Sequence, residues 1–312
     1  MKNRLRTFAK DVYRTMVPKF IREKRIEFLR NRLDKSLELK RKRIGVEVNE
    51  YFKNNISNHQ TPEEQEVINF LANNPIAVFP YGFTKKYKPQ DIVVYSDKNT
   101  NMKYVLHDNK RMYFPKTEDE VSIQRYYRSI LVEQDMDSPH RYEYADFHVR
   151  EGDIVADIGA AEGVFGLSVI EKIKKLYLFE CKETWVEALK ITFAPWKEKV
   201  IIVNKYISDH NDDQHITLDD FLNGYPINFI KADIEGAELP LLKGAKKTMS
   251  TQGNIRIVLC AYHKQNDEQD LKQILTEFGF QAESSKGYMI FLYDKNLSPP
   301  YLRRGVIRAT KE

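Results

Sequence analysis

Residues 153–173 read "DIVADIGAAEGVFGLSVIEKI", an apolar run, a turn bearing glycines, and then an amphipathic segment. That order is the strand, loop and helix with which a nucleotide-binding α/β domain begins. Apolar runs recur at "LYLFE" (176–180), "VIIV" (200–203), "INFIKAD" (227–233) and "IRIVLCAY" (255–262). They are continuous rather than alternating, which indicates burial on both faces and so a parallel sheet. After a helix expected at 268–278, "GFQAES", the turn "SKG" and "YMIFLY" (288–293) predict a closing antiparallel hairpin. Such a hairpin departs from an ordinary dinucleotide fold.

The glycine loop narrows the ligand. A nicotinamide fingerprint is G-x-G-x-x-G, whereas here Gly159 and Gly163 are separated by three residues and Asp157 stands just before them on the strand. Glycines let the backbone come close to a ligand, and the amides of this loop, around Ala160 and Glu162, can hold a carboxylate where a dinucleotide enzyme holds pyrophosphate. Glu180 ends the second strand, where a carboxylate can accept both hydroxyls of a ribose. Ser208 and Asp209 follow the third strand, where an acid can meet an adenine amino group. One strand-end acid alone reads as solvated; the ordered spacing after the loop favours ligand contact.

These segments, with "ISD" (207–209) and above all "FIKADIEGAELPLLKGA" (229–245), resemble the FkbM-type S-adenosylmethionine-dependent methyltransferases. The resemblance covers roughly residues 150–293 and rests most heavily on "DIEGAE" with its following apolar helix and "KGA". It implies the class I methyltransferase fold, a Rossmann-like, seven-stranded, mostly parallel sheet with an antiparallel last hairpin. It also implies S-adenosylmethionine as cofactor and O-methylation of a sugar or natural-product hydroxyl. Family members commonly carry asparagine where Ala161 stands, so a side-chain contact there is lost or supplied by Glu162.

Methyl transfer asks for a nucleophilic oxygen aligned behind the sulfonium methyl, and alignment outweighs base catalysis: effective molarities reach about 10⁵–10⁸ M, against about 10²–10⁴-fold from a positioned base. In a parallel sheet, ligands sit beyond the carboxyl ends of the strands, which places Asp233 near the transferring methyl. Asp233 can serve as base or polar positioner, share a magnesium-like ion with Glu235, or brace the loop. Lys231, two positions earlier on the strand, would lower the acid's pKa if it shares that face. Glu238, at a helix start, is expected to act as a capping acid. His263 follows the fifth strand and can take a hydroxyl proton near neutral pH, or be a structural histidine.

The rest of the chain divides by composition. Residues 1–60 form a basic amphipathic helical arm: the first 45 hold 16 Lys or Arg against 5 Asp or Glu, while the whole chain is only +5. Leu5, Phe8, Val12 and Met16, then Ile26, Leu29, Leu33 and Leu37, fall on one helical face, with Pro18 dividing or kinking it. Such an arm can pack on its own domain or a partner, or make peripheral contact with an anionic membrane through residues 1–45; nucleic acid ranks last. Residues 61–150 are expected as a small α+β cap on the substrate side, with "TPEE" at 61–64 starting a helix and β-hairpins between 91 and 115. The methyltransferase domain spans 151–293. Residues 294–312 read as a basic C-terminal tail, solvated or reaching an acidic acceptor or partner through Arg303 and Arg304.

Cys181 and Cys260, 79 positions apart, suggest neither a disulfide framework nor a zinc site. With no apolar run of about 18 residues and no signal-peptide pattern, the chain is expected in the cytoplasm, with membrane association through the arm as an alternative. The expected acceptor is a hydroxyl of a carbohydrate, glycan precursor or related metabolite. Alternatives are N-methylation of RNA or protein, opposed by the absence of an N-P-P-Y-like segment after the fourth strand, and a scaffold that has lost activity. Self-association stays open.

Overall fold

The computed structural model describes residues 19–55, 57 and 61–312. Its centre is a seven-stranded sheet built from β4 (Ile154–Ile158), β5 (Lys175–Phe179), β6 (Val200–Val203), β9 (Phe229–Ala232), β10 (Ile255–Cys260), β11 (Gln281–Ser284) and β12 (Val306–Lys311), while β7 (Tyr206–Ile207) and β8 (His215–Ile216) pair apart from it. Read across the sheet, the order is β11, β12, β10, β9, β4, β5, β6. The five strands from β10 to β6 run parallel, and β12 lies antiparallel between β10 and β11. The order reverses between β4 and β9, so the crevice at their carboxyl ends is where a ligand is expected.

The central apolar strands are buried on both faces, as their patterning predicts, whereas β6 at the sheet edge is only partly covered and exposes Ile201. Every residue of β9 and β10 is buried. Val155, Leu176, Leu178, Phe229 and Val258 face a core shared with helices α4 (Val164–Val169) and α5 (Glu183–Thr192). Ala156, Ile158, Ile230, Ile257 and Leu259 face a second core, built with α6 (Leu218–Leu222), α7 (Glu238–Lys243), α8 (Lys246–Thr251) and α9 (Asp267–Glu277).

Residues 61–150 cover the first face. Helix α2 (Pro62–Asn73) begins with a capping box between Thr61 and Glu64, after which β1 (Tyr95–Asp97), β2 (Met102–His107) and β3 (Lys110–Phe114) form an antiparallel sheet. Helix α3 (Glu120–Glu133), capped by Asp119, follows. Val67, Leu71, Val105, Phe114, Ile123 and Ile130 belong to the same apolar cluster as the first face of the large sheet. The cap and the sheet therefore have one core between them.

Helix α1 (Lys19–Asn54) precedes the cap. Ile44, Val48 and Phe52, one per helical turn, are buried in that cluster too. At about 1.5–3 kcal/mol for each fully buried large apolar side chain, they dock the end of the arm firmly. Leu5, Phe8, Val12, Met16 and Pro18 lie outside the described residues, as do the side chains of Ile26, Leu29, Leu33 and Leu37. Among the described residues, no helix is long and apolar enough to cross a membrane.

Two sequence expectations are corrected at the C-terminus. The hairpin partner of β11 is Val306–Lys311, not 288–293, and 294–312 is no tail. "YMIFLY" is apolar because Met289, Ile290 and Leu292 fill the cap-side core, where Ile290 N donates to the Val78 carbonyl. Val306, Ile307 and Ala309 are fully buried, whereas the arginines that give the segment its basic look are put to internal use. Arg303 is itself buried and donates to the carbonyls of Tyr262 and His263, and Arg304 pairs with Glu63 of α2 and stacks on Tyr288. Neither is a free cation awaiting an acidic acceptor. The seven-stranded sheet thus extends to residue 311, with 285–305 an excursion inside its last hairpin.

Candidate active site

Two glycines draw the site together. Gly159, at φ +75°, lies so near the end of β9 that an added Cβ would sit 2.0 Å from the Asp233 carbonyl oxygen. Gly244, in "KGA", permits an equally close approach to the backbone of Ser208, where a Cβ would be 2.0 Å from its carbonyl oxygen. The loop after β4, the acid after β9 and the 208–209 segment are thereby held around one cleft.

On its floor, Asp157 is fully buried, opposite Lys231 in the β4–β9 register. The Lys231 ammonium is 2.9 Å from Asp157 Oδ1 and donates to the Gly159 carbonyl at 2.9 Å, leaving Asp157 Oδ2 without a partner. Burial draws the Lys231 pKa down, but Asp157 and Asp233 outweigh it and hold the ammonium above its usual range. Lys231 thus braces the glycine loop and acts on Asp233 through its field.

The acids of the glycine loop and of the strand ends are each held by local donors. Glu180, buried, accepts from Ala161 N at 2.9 Å and Lys182 N at 2.7 Å, which fixes its carboxylate at the end of β5. Glu162, also buried, accepts from Tyr126 Oη of the cap helix at 2.8 Å, and burial raises its pKa to about 7. Ser208 is buried, and its hydroxyl donates to Asp209 Oδ1 at 3.3 Å. Asp209 stays accessible and is held below its usual range by a hydrogen bond from His210. Ala161 has φ +46°, a left-handed conformation that asparagine tolerates far better than alanine.

Asp233, just after β9, gathers a second set of polar groups. Tyr142 Oη donates to its Oδ2 at 3.0 Å and Tyr262 Oη to its Oδ1 at 3.4 Å, while His140 Nε2 and His263 Nε2 stand 3.6 and 3.5 Å away. Burial pushes the Asp233 pKa up, but His140, Lys231 and His263 outweigh it and hold the carboxyl well below the usual range. Burial and the same carboxylate keep Tyr142 and Tyr262 protonated, as neutral donors. From Tyr262 an aromatic wall continues through Phe291, with ring centroids 5.0 Å apart, to the exposed Tyr293 at 5.8 Å.

Glu235 and Glu238 part company. The Glu235 side chain is 87% exposed on a turn at φ +57°, with its Oε2 3.9 Å from His263 Nε2. Among the described residues, the donor groups that include Asp233 are His140 with Cys260, and Glu238 with His263. A magnesium ion takes mostly oxygen ligands in a near-octahedral shell, whereas Asp233 is already engaged by two phenols beside two imidazoles and the Lys231 charge. Among the described residues, no group of three or more such donors joins Asp233 to Glu235. Glu238, expected as a capping acid, opens its helix but is buried: it accepts from Ile234 N at 3.0 Å and lies 3.2 Å from His263 Nδ1.

Tyr126, His140, Tyr142 and Tyr262 escaped the sequence reading. Only Tyr262, beside His263 at a strand end, carried a signal. His140 and Tyr142 come from a motif-free loop after α3 and reach the cleft through tertiary packing.

Strand order, glycine loop and strand-end acids define a class I methyltransferase domain. Within it, residues 157–285 match the family model described as Methyltransferase FkbM domain. Similar solved structures include the methyltransferase FkbM from Methylobacillus flagellatus KT, at 17% identity and TM-score 0.44 over 61% of this chain and 53% of that one. The alignment thus spans about half the length of that relative. Precorrin-6y C5,15-methyltransferase from Geobacter metallireducens GS-15 aligns at 12% identity and TM-score 0.38 over 53% of this chain and 82% of its own. An rRNA methylase from Streptococcus thermophilus aligns at 15% identity and TM-score 0.36 over 52% and 89%. No curated protein matches the sequence.

Proposed function

We propose that the protein transfers a methyl group from S-adenosylmethionine to a hydroxyl of a carbohydrate, glycan precursor or related metabolite, with Asp233 as proton acceptor. The observation that carries this reading is the position of Asp233: at a strand's carboxyl end, against Gly159 of the cofactor loop, and ionised beneath the cap. The unpartnered Asp157 Oδ2 and the close approach at Gly159 fit a bound cofactor, held by Asp157, Gly159, Ala160, Glu162, Gly163, Glu180, Ser208 and Asp209. When bound, it supplies an electrophilic methyl on a sulfonium.

A carboxyl with so low a pKa is a weak base towards a free hydroxyl. Proton loss can nevertheless follow bond formation, because an oxygen that has just gained a methyl is a strong acid. Asp233 then needs to orient the hydroxyl and receive a proton late, in keeping with the weight of alignment over base strength. The wall formed by Tyr262, Phe291 and Tyr293 offers a face on which the apolar side of a sugar ring can lie, with its hydroxyl edge toward Asp233.

Calorimetry should show binding of S-adenosylmethionine by wild type and its loss in Glu180→Ala. Incubation with labelled methyl donor and host-cell extracts should place label in the glycan or small-molecule fraction. Label confined to RNA or protein would overturn the acceptor class, and absence of binding heat would favour a scaffold. In Asp233→Asn, turnover should fall about 10²–10⁴-fold with cofactor heat retained.

A further inference from the structure

We propose that Glu238 is a positioning residue: its buried carboxylate holds the proton on His263 Nδ1 and so aims His263 Nε2 at Asp233. The proposal rests on the reading of Asp233 as proton acceptor and extends the site by one residue behind it.

The geometry is a line of three groups. Glu238 is 1% exposed, and its Oε1 lies 3.2 Å from His263 Nδ1, while His263 Nε2 is 3.5 Å from Asp233 Oδ1. A buried carboxylate is costly unless a donor or cation faces it. The backbone amide of Ile234 supplies one donor to Oε1, and Oε2 has none. His263 Nδ1 stands against Oε1 and, like Oε2, makes no aligned hydrogen bond, so the pair is held by proximity and charge. The plane of the ring is fixed from the sides: Tyr262 lies against it at 4.2 Å between centroids and Phe291 meets it edge-on at 5.5 Å. Arg303 holds the His263 carbonyl at 3.1 Å, so the backbone is anchored as well.

The charged surroundings favour the same arrangement. Facing His263 are Glu238 on α7, Asp233 and the exposed Glu235 on the loop after β9, and the buried Asp267 at the start of α9. Lys264, the neighbouring cation, is turned toward the Gly236 carbonyl. Burial opposes a charged ring, but Glu238, Asp233 and Glu235 outweigh it and raise the pKa of His263. A ring bridging Glu238 and Asp233 keeps Asp233 ionised and its carboxylate fixed relative to the incoming hydroxyl. A helix-capping role for Glu238 would need none of this, because its carboxylate would face the amides of its own helix.

The test uses the full chain labelled at histidine, with the His263 resonance assigned by its loss in His263→Asn. Nuclear magnetic resonance titration should show His263 with a lower midpoint in Glu238→Gln than in wild type. In wild type, the nitrogen shifts of the neutral ring should place its proton on Nδ1. An unchanged midpoint in Glu238→Gln, or a neutral wild-type ring protonated on Nε2, overturns the proposal. If Glu238→Gln does not fold, the position of the proton in wild type decides. Calorimetry with S-adenosylmethionine runs alongside: its failure would remove the methyl-transfer reading while leaving the ring titration to stand on its own.

Discussion

The carboxylates that cluster in "DIEGAE" separate by environment once each is placed. Asp233 is held ionised among phenols and cations, Glu235 faces solvent, and Glu238 is buried against an imidazole. The pH behaviour follows from the direction of each shift. Glu162 is raised to about 7 by burial, with Tyr126, Lys231 and Asp157 facing it, so it gains its charge as pH rises through about 7. Affinity for the cationic cofactor should climb across that range, and calorimetry at several pH values should show the rise flattened in Glu162→Gln. His263 is raised above its ordinary 6.5, so its contribution to stability is fully present below 6.5 and is lost as pH rises through the folded-state value. Thermal melts should therefore show an alkaline-side loss that His263→Asn removes. Ala161, left-handed at φ +46°, stores strain, and Ala161→Asn should stabilise the protein by about 1 kcal/mol, read as a raised Tm.

Among the elements, β12 is the one whose sequence misleads. Arginine and lysine punctuate 303–311, yet the strand pairs on both sides, along all six residues with β10 and four with β11. Its side chains alternate between the two cores, and its cations reach carbonyls at the edge: Lys311 Nζ donates to the Met249 carbonyl at 2.6 Å. Removal of residues 306–312 should leave β11 without a partner and one edge of β10 open, and abolish the folded state, as circular dichroism would report, whereas loss of a solvated tail would not. The end of α1 gives a second case. Phe52→Ala should cost about 3–5 kcal/mol in denaturant unfolding, because Phe52 is buried in the shared core beside Val48 and not displayed on a free arm.

The molecule as a whole places its chemistry between the sheet and the cap. Tyr126 and Tyr142, contributed by α3 and the loop after it, hydrogen-bond Glu162 and Asp233 across the cleft, so neither half of the chain completes the site alone. Their common apolar cluster has an energetic consequence. Cap and sheet should unfold in one transition, with near- and far-ultraviolet circular dichroism coincident, whereas separate midpoints would indicate independent domains. The excursion at 285–305 is part of the same construction: it fills the cap-side core with Met289 and Ile290 and presents Phe291 and Tyr293 at the rim.

The sequence by itself determined the sheet's parallel strands, the cofactor loop and the strand-end acids. Those features depend on apolar runs and on spacing along one strand–loop–helix unit, which are local properties. Only the tertiary structure decided which segment closes the sheet, because "YMIFLY" and "VIRATK" exchange their apparent roles once each meets its neighbours. It also decided the roles of Lys231, Glu235 and Glu238. A carboxylate or ammonium takes its function from the charges and donors within a few ångströms of it, and here those come from residues 140, 142, 157, 262 and 263, far apart in the chain.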